Sequence, residues 1–192
     1  MASKPGERKL QILQTVAHML EQPKGEKITT AALAAKLELS EAALYRHFAS
    51  KAQMFEGLIE FIEQTVFGLI NKITQDEKSG LKQVEAIVSM LLGFAQKNRG
   101  MTRVLIGDAL VNEDARLQAR INQLLDRIEL TLKQALRVAS TQNELDASID
   151  PGAQANMLLS YVIGRWLLFA KSGFTRDPLA LWAQQWALLS GK

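Results

Sequence analysis

The chain contains 192 residues, of which 47% are hydrophobic, and this is enough to build a substantial buried core. Its lack of cysteine excludes a disulfide framework and any thiolate metal site or nucleophile, and with only two histidines we expect neither a metal site nor a bound cofactor. No stretch approaches the roughly 18 uninterrupted apolar residues of a membrane span, and the N-terminal MASKPGERK carries no apolar run of the signal-peptide type. We therefore expect a soluble, cytoplasmic protein.

The formal net charge of +3 is distributed unevenly along the chain. Residues 1–51 carry 8 Lys and Arg against 5 Asp and Glu, whereas residues 52–192 carry 15 of each kind. A local basic bias favours a polyanionic partner such as nucleic acid. An ordinary solvated surface would explain the same small excess, so sequence motifs have to decide between the two.

The chain is predicted to be all-α. Its four prolines leave long stretches unbroken, and alternating runs of β-branched and aromatic residues are missing. The first helix is expected from Pro5 or Gly6 to the break at Pro23-Lys24-Gly25, and Thr29 or Thr30 is expected to cap the second. From the second onward, helices are predicted at residues 31–37, 40–47, 50–76, 80–97, 101–111, 114–140, 151–172 and 179–189.

Residues 28–51 read ITTAALAAKLELSEAALYRHFASK and predict a helix-turn-helix. Its two short helices have to pack at a steep angle, which requires small residues where the backbones approach and a compact apolar core. The small residues are Ala32, Ala34, Ala35, Ala42 and Ala43, and the core residues are Leu33, Leu37, Leu39, Leu44 and Phe48. The helix that begins at Ser40 is predicted to expose Glu41, Ala42, Tyr45 and Arg46 towards a duplex.

This segment resembles the DNA-binding domain of the TetR family in the order LAxxL, then Ser, then LYRHF, then SK. The resemblance implies three short helices that lead into a long fourth helix. It also implies phosphate contacts from Thr29, Thr30, Ser40, Tyr45, His47 and Lys51, and it places Glu41, Ala42 and Arg46 nearest the bases. Other roles stay open for single residues, because Thr30 could cap a helix, Tyr45 could pack beneath the long helix and His47 could be a surface or capping residue.

A narrower resemblance, to the nucleoid occlusion factors within the TetR family, covers roughly residues 8–136 and weakens from Val138 onward. It is carried by the segments SEAALYRHFASKAQMFEGLIEFIEQ, LLGFAQKNRGMTRVLIGDAL and RLQARINQLLDRIE. Proteins of this kind bind chromosomal sites and antagonise the division protein FtsZ. The resemblance therefore implies a nucleoid-associated protein whose partners are double-stranded DNA and FtsZ.

A docking groove for the FtsZ tail is implied by the same resemblance, with partner-binding residues Phe61, Thr65, Leu69, Met90, Gly93, Lys97 and Asn98. Intervals of four residues put the first three on one side of the long helix, and a gap at Gly93 beside the cation of Lys97 suits an acidic and apolar peptide. Each of these residues also has an ordinary structural explanation. Gly93 could allow tight helix packing, and Phe61 and Leu69 could belong to the core. Lys97 could interact favourably with the dipole at the C-terminal end of its helix. Leu69 stands where the proteins it resembles often have a basic residue, which predicts a weaker or differently distributed contact.

Residues 1–51 are expected to form the DNA-binding domain, and residues 52–192 a helical domain for dimerisation and partner binding. The last two helices carry more apolar residues than one subunit needs, which predicts a two-fold homodimer joined by a four-helix bundle. The residues expected at this interface are Met157, Leu158, Tyr161, Val162, Trp166, Leu181, Trp182 and Trp186.

A second hypothesis is a TetR-type transcriptional repressor that is released by a small-molecule effector. Its pocket would be lined by Met90, Phe94, Trp166 and Phe169, and a sizeable apolar cavity would favour it over nucleoid occlusion. An enzyme is not expected. The adjacent carboxylates Glu113-Asp114 fall at a helix start, where they act as caps, and no nucleophile, metal cluster or phosphate-binding loop accompanies them.

Overall fold

The computed structural model describes residues 5–22 and 28–190, and within these ranges the regular structure is helical, which confirms the all-α prediction. The predicted break at Pro23-Lys24-Gly25 lies outside the described residues. None of the described helices is long and apolar enough to cross a membrane. The helices are α1 Pro5–Leu20, α2 Thr30–Lys36, α3 Glu41–Tyr45, α4 Lys51–Asp76, α5 Gly80–Lys97, α6 Arg99–Leu105, α7 Ala115–Thr141, α8 Pro151–Lys171 and α9 Trp182–Leu189, with a 3-10 turn at Asp108–Leu110.

Several helix boundaries differ by one or two residues from the sequence prediction, among them the start of α6 at Arg99, and two differ by three or more because the backbone enters the left-handed region there. The helix predicted at residues 101–111 ends at Leu105, since Gly107 has a φ of 77° that α-helical hydrogen bonding cannot continue through. Likewise, α9 begins at Trp182 and not at residue 179, because Leu181 has a φ of 65°. Left-handed residues end a helix wherever they occur, and their position cannot be read from apolar spacing.

The chain divides into two compact units, each built from two separate stretches of sequence. One unit holds the residues up to Ile62 together with Asn98–Ile121, and the other holds Glu63–Lys97 together with the chain from Asn122 onward. The predicted domain boundary after residue 51 stays a prediction.

The first unit contains the helix-turn-helix helices α2 and α3, with α1 packed against both α2 and α6. A glycine allows the approach of α1 and α6, because a Cβ at Gly100 would lie only 1.8 Å from the carbonyl oxygen of Ala17. The fully buried side chains of this unit include Ile12, Val16, Leu33, Leu44, Phe55 and Val104.

The second unit is built around the contact between α5 and α8. Trp166 of α8 is completely buried and donates its indole N–H to the backbone carbonyl of Leu91 at 3.0 Å. A buried indole needs such an acceptor, so this bond fixes the register of α8 on α5. The aliphatic side chains that fill the surrounding core include Val84, Ile87, Leu132, Leu136, Leu158 and Val162.

Candidate nucleic-acid interface

Side-chain caps define the starts of both helix-turn-helix helices. The hydroxyl of Thr29 accepts from the backbone N–H of Ala32, and the hydroxyl of Ser40 accepts from Ala43, each at 3.1 Å. These bonds confirm Ser40 as a cap and select Thr29 over Thr30 as the other. Both caps accept through oxygen, so each hydroxyl proton is left to donate to a phosphate.

The core of the helix-turn-helix follows the sequence prediction closely. Leu33, Leu37, Leu44 and Phe48 are buried, and Leu39 is half-buried. The predicted role of the alanines was wrong in part, because a two-turn helix has too few buried positions for all of them. Only Ala34 is buried and Ala43 is half-buried, whereas the exposed alanines are Ala32, Ala35 and Ala42.

The outer face of α3 is open to solvent. Glu41, Ala42, Tyr45 and Arg46 are all exposed, and His47 is half-buried. The side chain of Tyr45 is 43% exposed to solvent, which rules out the alternative that its ring packs beneath α4. The structure therefore presents on one short helix the side chains predicted to meet bases and phosphates.

A chain of hydrogen bonds joins this face to the start of α2. Tyr45 donates its phenolic proton to Oγ1 of Thr30 at 3.5 Å, and Thr30 donates its own proton to Oε2 of Glu41 at 2.7 Å. A threonine hydroxyl has a single proton, so Thr30 cannot donate to a phosphate while it is bound to Glu41. Phosphate contacts from Thr29 and Ser40 need no such rearrangement.

Lys51, at the start of α4, is held by a partner that the sequence did not suggest. Its ammonium group forms a half-buried ion pair with the carboxylate of Glu113, in the loop before α7. Glu113 was predicted to cap α7 together with Asp114, and that prediction was wrong for Glu113 because its carboxylate bonds to Lys51. The residues lie 62 positions apart, so only the tertiary fold brings them together.

Asp114 does act at the start of α7. Its Oδ1 accepts from the backbone N–H of Arg116 at 3.0 Å, and its carboxylate also bonds to the Arg116 guanidinium. The side-chain hydrogen bond from Arg116, with the backbone bond second, lowers the pKa of Asp114 to about 2. The carboxylate is therefore held as an anion at the start of α7.

The residues predicted to bind a partner all remain at least partly accessible. On α4, Phe61 and Thr65 are half-buried, and Leu69 is 41% exposed. These values argue against a fully buried core position for Phe61 or Leu69. Of the other members, Lys97 is exposed and the half-buried ones are Met90, Gly93 and Asn98.

Gly93 is not required by the packing of the described residues. A Cβ at this position would meet only Cδ1 of Leu179, at 3.7 Å, which is an ordinary van der Waals contact. Tight helix packing therefore does not account for this glycine, in contrast to Gly100. A methyl group would fit at this position of α5 beside Leu179.

Comparison with known proteins assigns the chain to a family. Residues 17–58 match the family model described as bacterial regulatory proteins of the TetR family, and residues 78–192 match the SlmA-like model of the tetracyclin repressor-like C-terminal domain. The chain is 52% identical over 186 residues to the nucleoid occlusion factor SlmA of Alteromonas mediterranea, which covers 97% of this chain and 95% of that protein. The chain belongs to the SlmA group of the TetR family.

Two further comparisons agree with this assignment. The SlmA protein of a Marinomonas species is 47% identical over 190 residues, covering 99% of this chain and 96% of the relative. Among solved structures, the fatty acid degradation regulator FadR from Bacillus halodurans superposes with a TM-score of 0.79 at 15% identity, covering 100% of this chain and 97% of that one. The structural likeness confirms the TetR-like fold, and the close SlmA relatives imply DNA binding.

The residues predicted to join two subunits of this SlmA-group protein fall into three classes in the single chain. Leu158, Val162 and Trp166 are completely buried in their own core, so a second subunit cannot reach them, and we remove them from the expected interface. Apolar residues occur on several sides of α8, so the sequence alone could not show which of them face the core of their own subunit. Met157 and Leu181 are exposed. Trp182 makes ring contacts with both Tyr161 and Trp186, of which Trp186 is buried, while Tyr161 and Trp182 are half-buried.

Exposed apolar residues that the sequence reasoning missed lie on the same two helices. They are Leu167 and Leu168 on α8 and Leu188 on α9. Leu168 follows Met157 by eleven residues, or three helical turns, and so lies on the same face of α8, whereas Leu167 lies on a neighbouring side.

The residues proposed to line an effector pocket mostly pack as core. Phe94, Trp166 and Phe169 are buried, and only Met90 is half-buried. Phe169 makes an edge-on ring contact with Phe174 at a centroid distance of 5.1 Å. These side chains fill the interior of the second unit.

Proposed function

We propose that this chain is a nucleoid occlusion factor that binds specific duplex sites as a homodimer. Bound at chromosomal sites, it inhibits FtsZ assembly and thereby blocks septum formation over the nucleoid. The observation that carries the proposal is the near-full-length similarity to SlmA proteins, which are named nucleoid occlusion factors.

DNA binding would use α3 as the recognition helix in the major groove. The exposed Glu41, Ala42 and Arg46 would face base edges, and the cap hydroxyls of Thr29 and Ser40 would hold phosphates on either side. The remaining phosphate contacts are proposed for Tyr45, His47 and Lys51, whereas Thr30, whose only proton is held by Glu41, contributes to DNA binding through that bond.

FtsZ binding would use the partner residues on α4 and α5. Leu69 offers exposed apolar surface, Gly93 leaves space above its helix, and Lys97 is an exposed cation with no carboxylate within 4 Å among the residues that the structure describes. An acidic and apolar peptide tail matches these properties, because it supplies both aliphatic groups and carboxylates.

Dimerisation would bury the exposed apolar face of α8. Met157, Gly164 and Leu168 share this face, with the exposed Leu167 at its edge, and a Cβ added at Gly164 would meet nothing within 4 Å. A glycine at an open helix surface lets a second helix approach closely. Leu188 on α9 is 83% exposed and adds a further exposed apolar side chain for which burial in an interface would be favourable.

FtsZ sedimentation tests the proposal. With GTP and duplex DNA selected by this protein, we expect the parent to reduce the pelleted FtsZ polymer. Lys97→Glu should abolish this effect and retain DNA affinity, because an acidic tail then meets repulsion. Lys82→Glu makes the same charge change at the other, exposed end of α5 and should behave as the parent does.

A steric pair of variants completes the test. Gly93→Arg fills the space above α5 and should abolish FtsZ inhibition, whereas Gly93→Ala should keep it, since the added Cβ makes only an ordinary contact. Thermal melting of each variant establishes that the fold is intact. A parent that binds DNA and leaves FtsZ assembly unchanged would overturn the nucleoid occlusion proposal.

A further inference from the structure

Glu41 occupies an unusual position for an anion on a DNA-binding face. It is the first residue of α3, it is exposed, and one of its two oxygens is held by Thr30. The other oxygen, Oε1, bonds to no residue in the described part of the chain. Because Thr30 accepts from Tyr45 and donates its only proton to Glu41, the direction of the whole hydrogen-bond chain is determined.

The chemistry of a carboxylate limits which base it can face. An ionised carboxylate only accepts hydrogen bonds, and in the major groove only the amines of cytosine N4 and adenine N6 donate them. Adenine also presents the N7 acceptor beside its amine, which repels the carboxylate. Guanine and thymine present acceptors, so cytosine alone offers a donor without an adjacent acceptor on the same base.

We infer that Glu41 is a specificity-determining residue that selects a cytosine in each half-site, and that Thr30 is the positioning residue that holds its carboxylate. The inference rests on the DNA binding put forward above. The free Oε1 accepts from the cytosine amine while Oε2 stays bound to Thr30. The same negative charge repels phosphates, so Glu41 lowers the affinity for non-cognate duplexes as it raises discrimination.

Selection of bound duplexes from a randomised library, using the full chain, tests the role of Glu41. For the parent we expect one position of each half-site where cytosine is preferred about 5- to 100-fold over other bases. Glu41→Gln should move that preference towards adenine, since an amide both donates to N7 and accepts from N6. It should also raise the affinity for a non-cognate duplex.

A matched variant and a positioning series separate this role from general charge effects. Glu38→Gln makes the same charge change at an exposed position in the turn between α2 and α3, and it should leave every base preference unchanged. Thr30→Val removes the hydroxyl that holds Glu41 and should weaken the cytosine preference, whereas Thr30→Ser should restore it. A role of Thr30 in folding alone would not alter the preferred base.

The outcomes distinguish this inference from the proposed function. If the parent selects a site and Glu41→Gln selects the same bases with the same discrimination, the inference is wrong and DNA binding stands. If the parent selects no sequence at all, the proposed DNA binding fails and the inference fails with it. A loss of cytosine preference at a single position in Glu41→Gln, with the other positions kept, supports the inference.

Discussion

Lys51 and Glu113 form a half-buried ion pair that ties the start of α4 to the loop before α7. Lys51 is also the residue for which the TetR resemblance implies a phosphate contact. One ammonium group thus has two candidate anions, the Glu113 carboxylate inside the first unit and a phosphate of a bound duplex. The ammonium group has three donors, but the Glu113 carboxylate neutralises its charge and fixes its position, so the ion pair opposes the phosphate contact.

Glu113→Gln is expected to strengthen DNA binding about 2- to 5-fold, since about 0.5–1 kcal/mol is no longer needed to separate the pair. Lys51→Gln should weaken binding and reduce the slope of log affinity against log salt by about one. Titrations at several salt concentrations measure both effects. A salt slope that is unchanged in Lys51→Gln would mean that Lys51 serves only Glu113.

Arg46→Ala is expected to reduce specific DNA affinity by about 1–3 kcal/mol if the guanidinium reads a base, because Arg46 lies exposed at the end of α3. Tyr45→Ala should also weaken binding, through loss of its hydroxyl and of the bond to Thr30. Helical content should not change in either variant. Gel shifts with Arg176→Ala as an exposed control measure the effect, and unchanged affinity in both variants would place the reading surface elsewhere.

Leu168→Glu is expected to convert the dimer to a monomer, because it buries a charge in the apolar face of α8. Leu130→Glu makes the same change at an exposed position on α7, outside the proposed interface, and should remain dimeric. Light scattering at micromolar concentration distinguishes the two. A parent that already scatters as a monomer would reject the interface.

Asp114→Asn is expected to change the acid dependence of stability. The pKa of Asp114 is lowered from 3.8 to about 2 in the folded chain, so its contribution is present above about pH 4 and is lost as the pH falls towards 2. Asparagine keeps the capping oxygen and loses the charge opposite Arg116. Urea unfolding across this pH window should show a parent-to-variant difference that shrinks with acid. A difference that stays constant from pH 5 to pH 2 would contradict this assignment.

The sequence by itself determined the features that depend on near neighbours. The caps at Thr29 and Ser40 each join a hydroxyl to a backbone N–H three residues later, and helix periodicity likewise relates residues three and four apart. For this reason the order of the helices, the small core around Leu33 and Leu44, and the exposed face of α3 could be predicted. The family followed from the same local pattern of residue types.

Only the tertiary structure decided which residues meet across long stretches of chain and which apolar side chains face inward. The bond from Thr30 to Glu41 and the ion pair of Lys51 with Glu113 join separate elements, so no spacing rule anticipates them. On α8, apolar residues occur on several sides of the helix, and periodicity could not tell Trp166, which α5 covers, from Leu168, which stays exposed. The physical reason is that burial depends on the neighbouring helix, whose direction of approach is set by the packing of the whole unit.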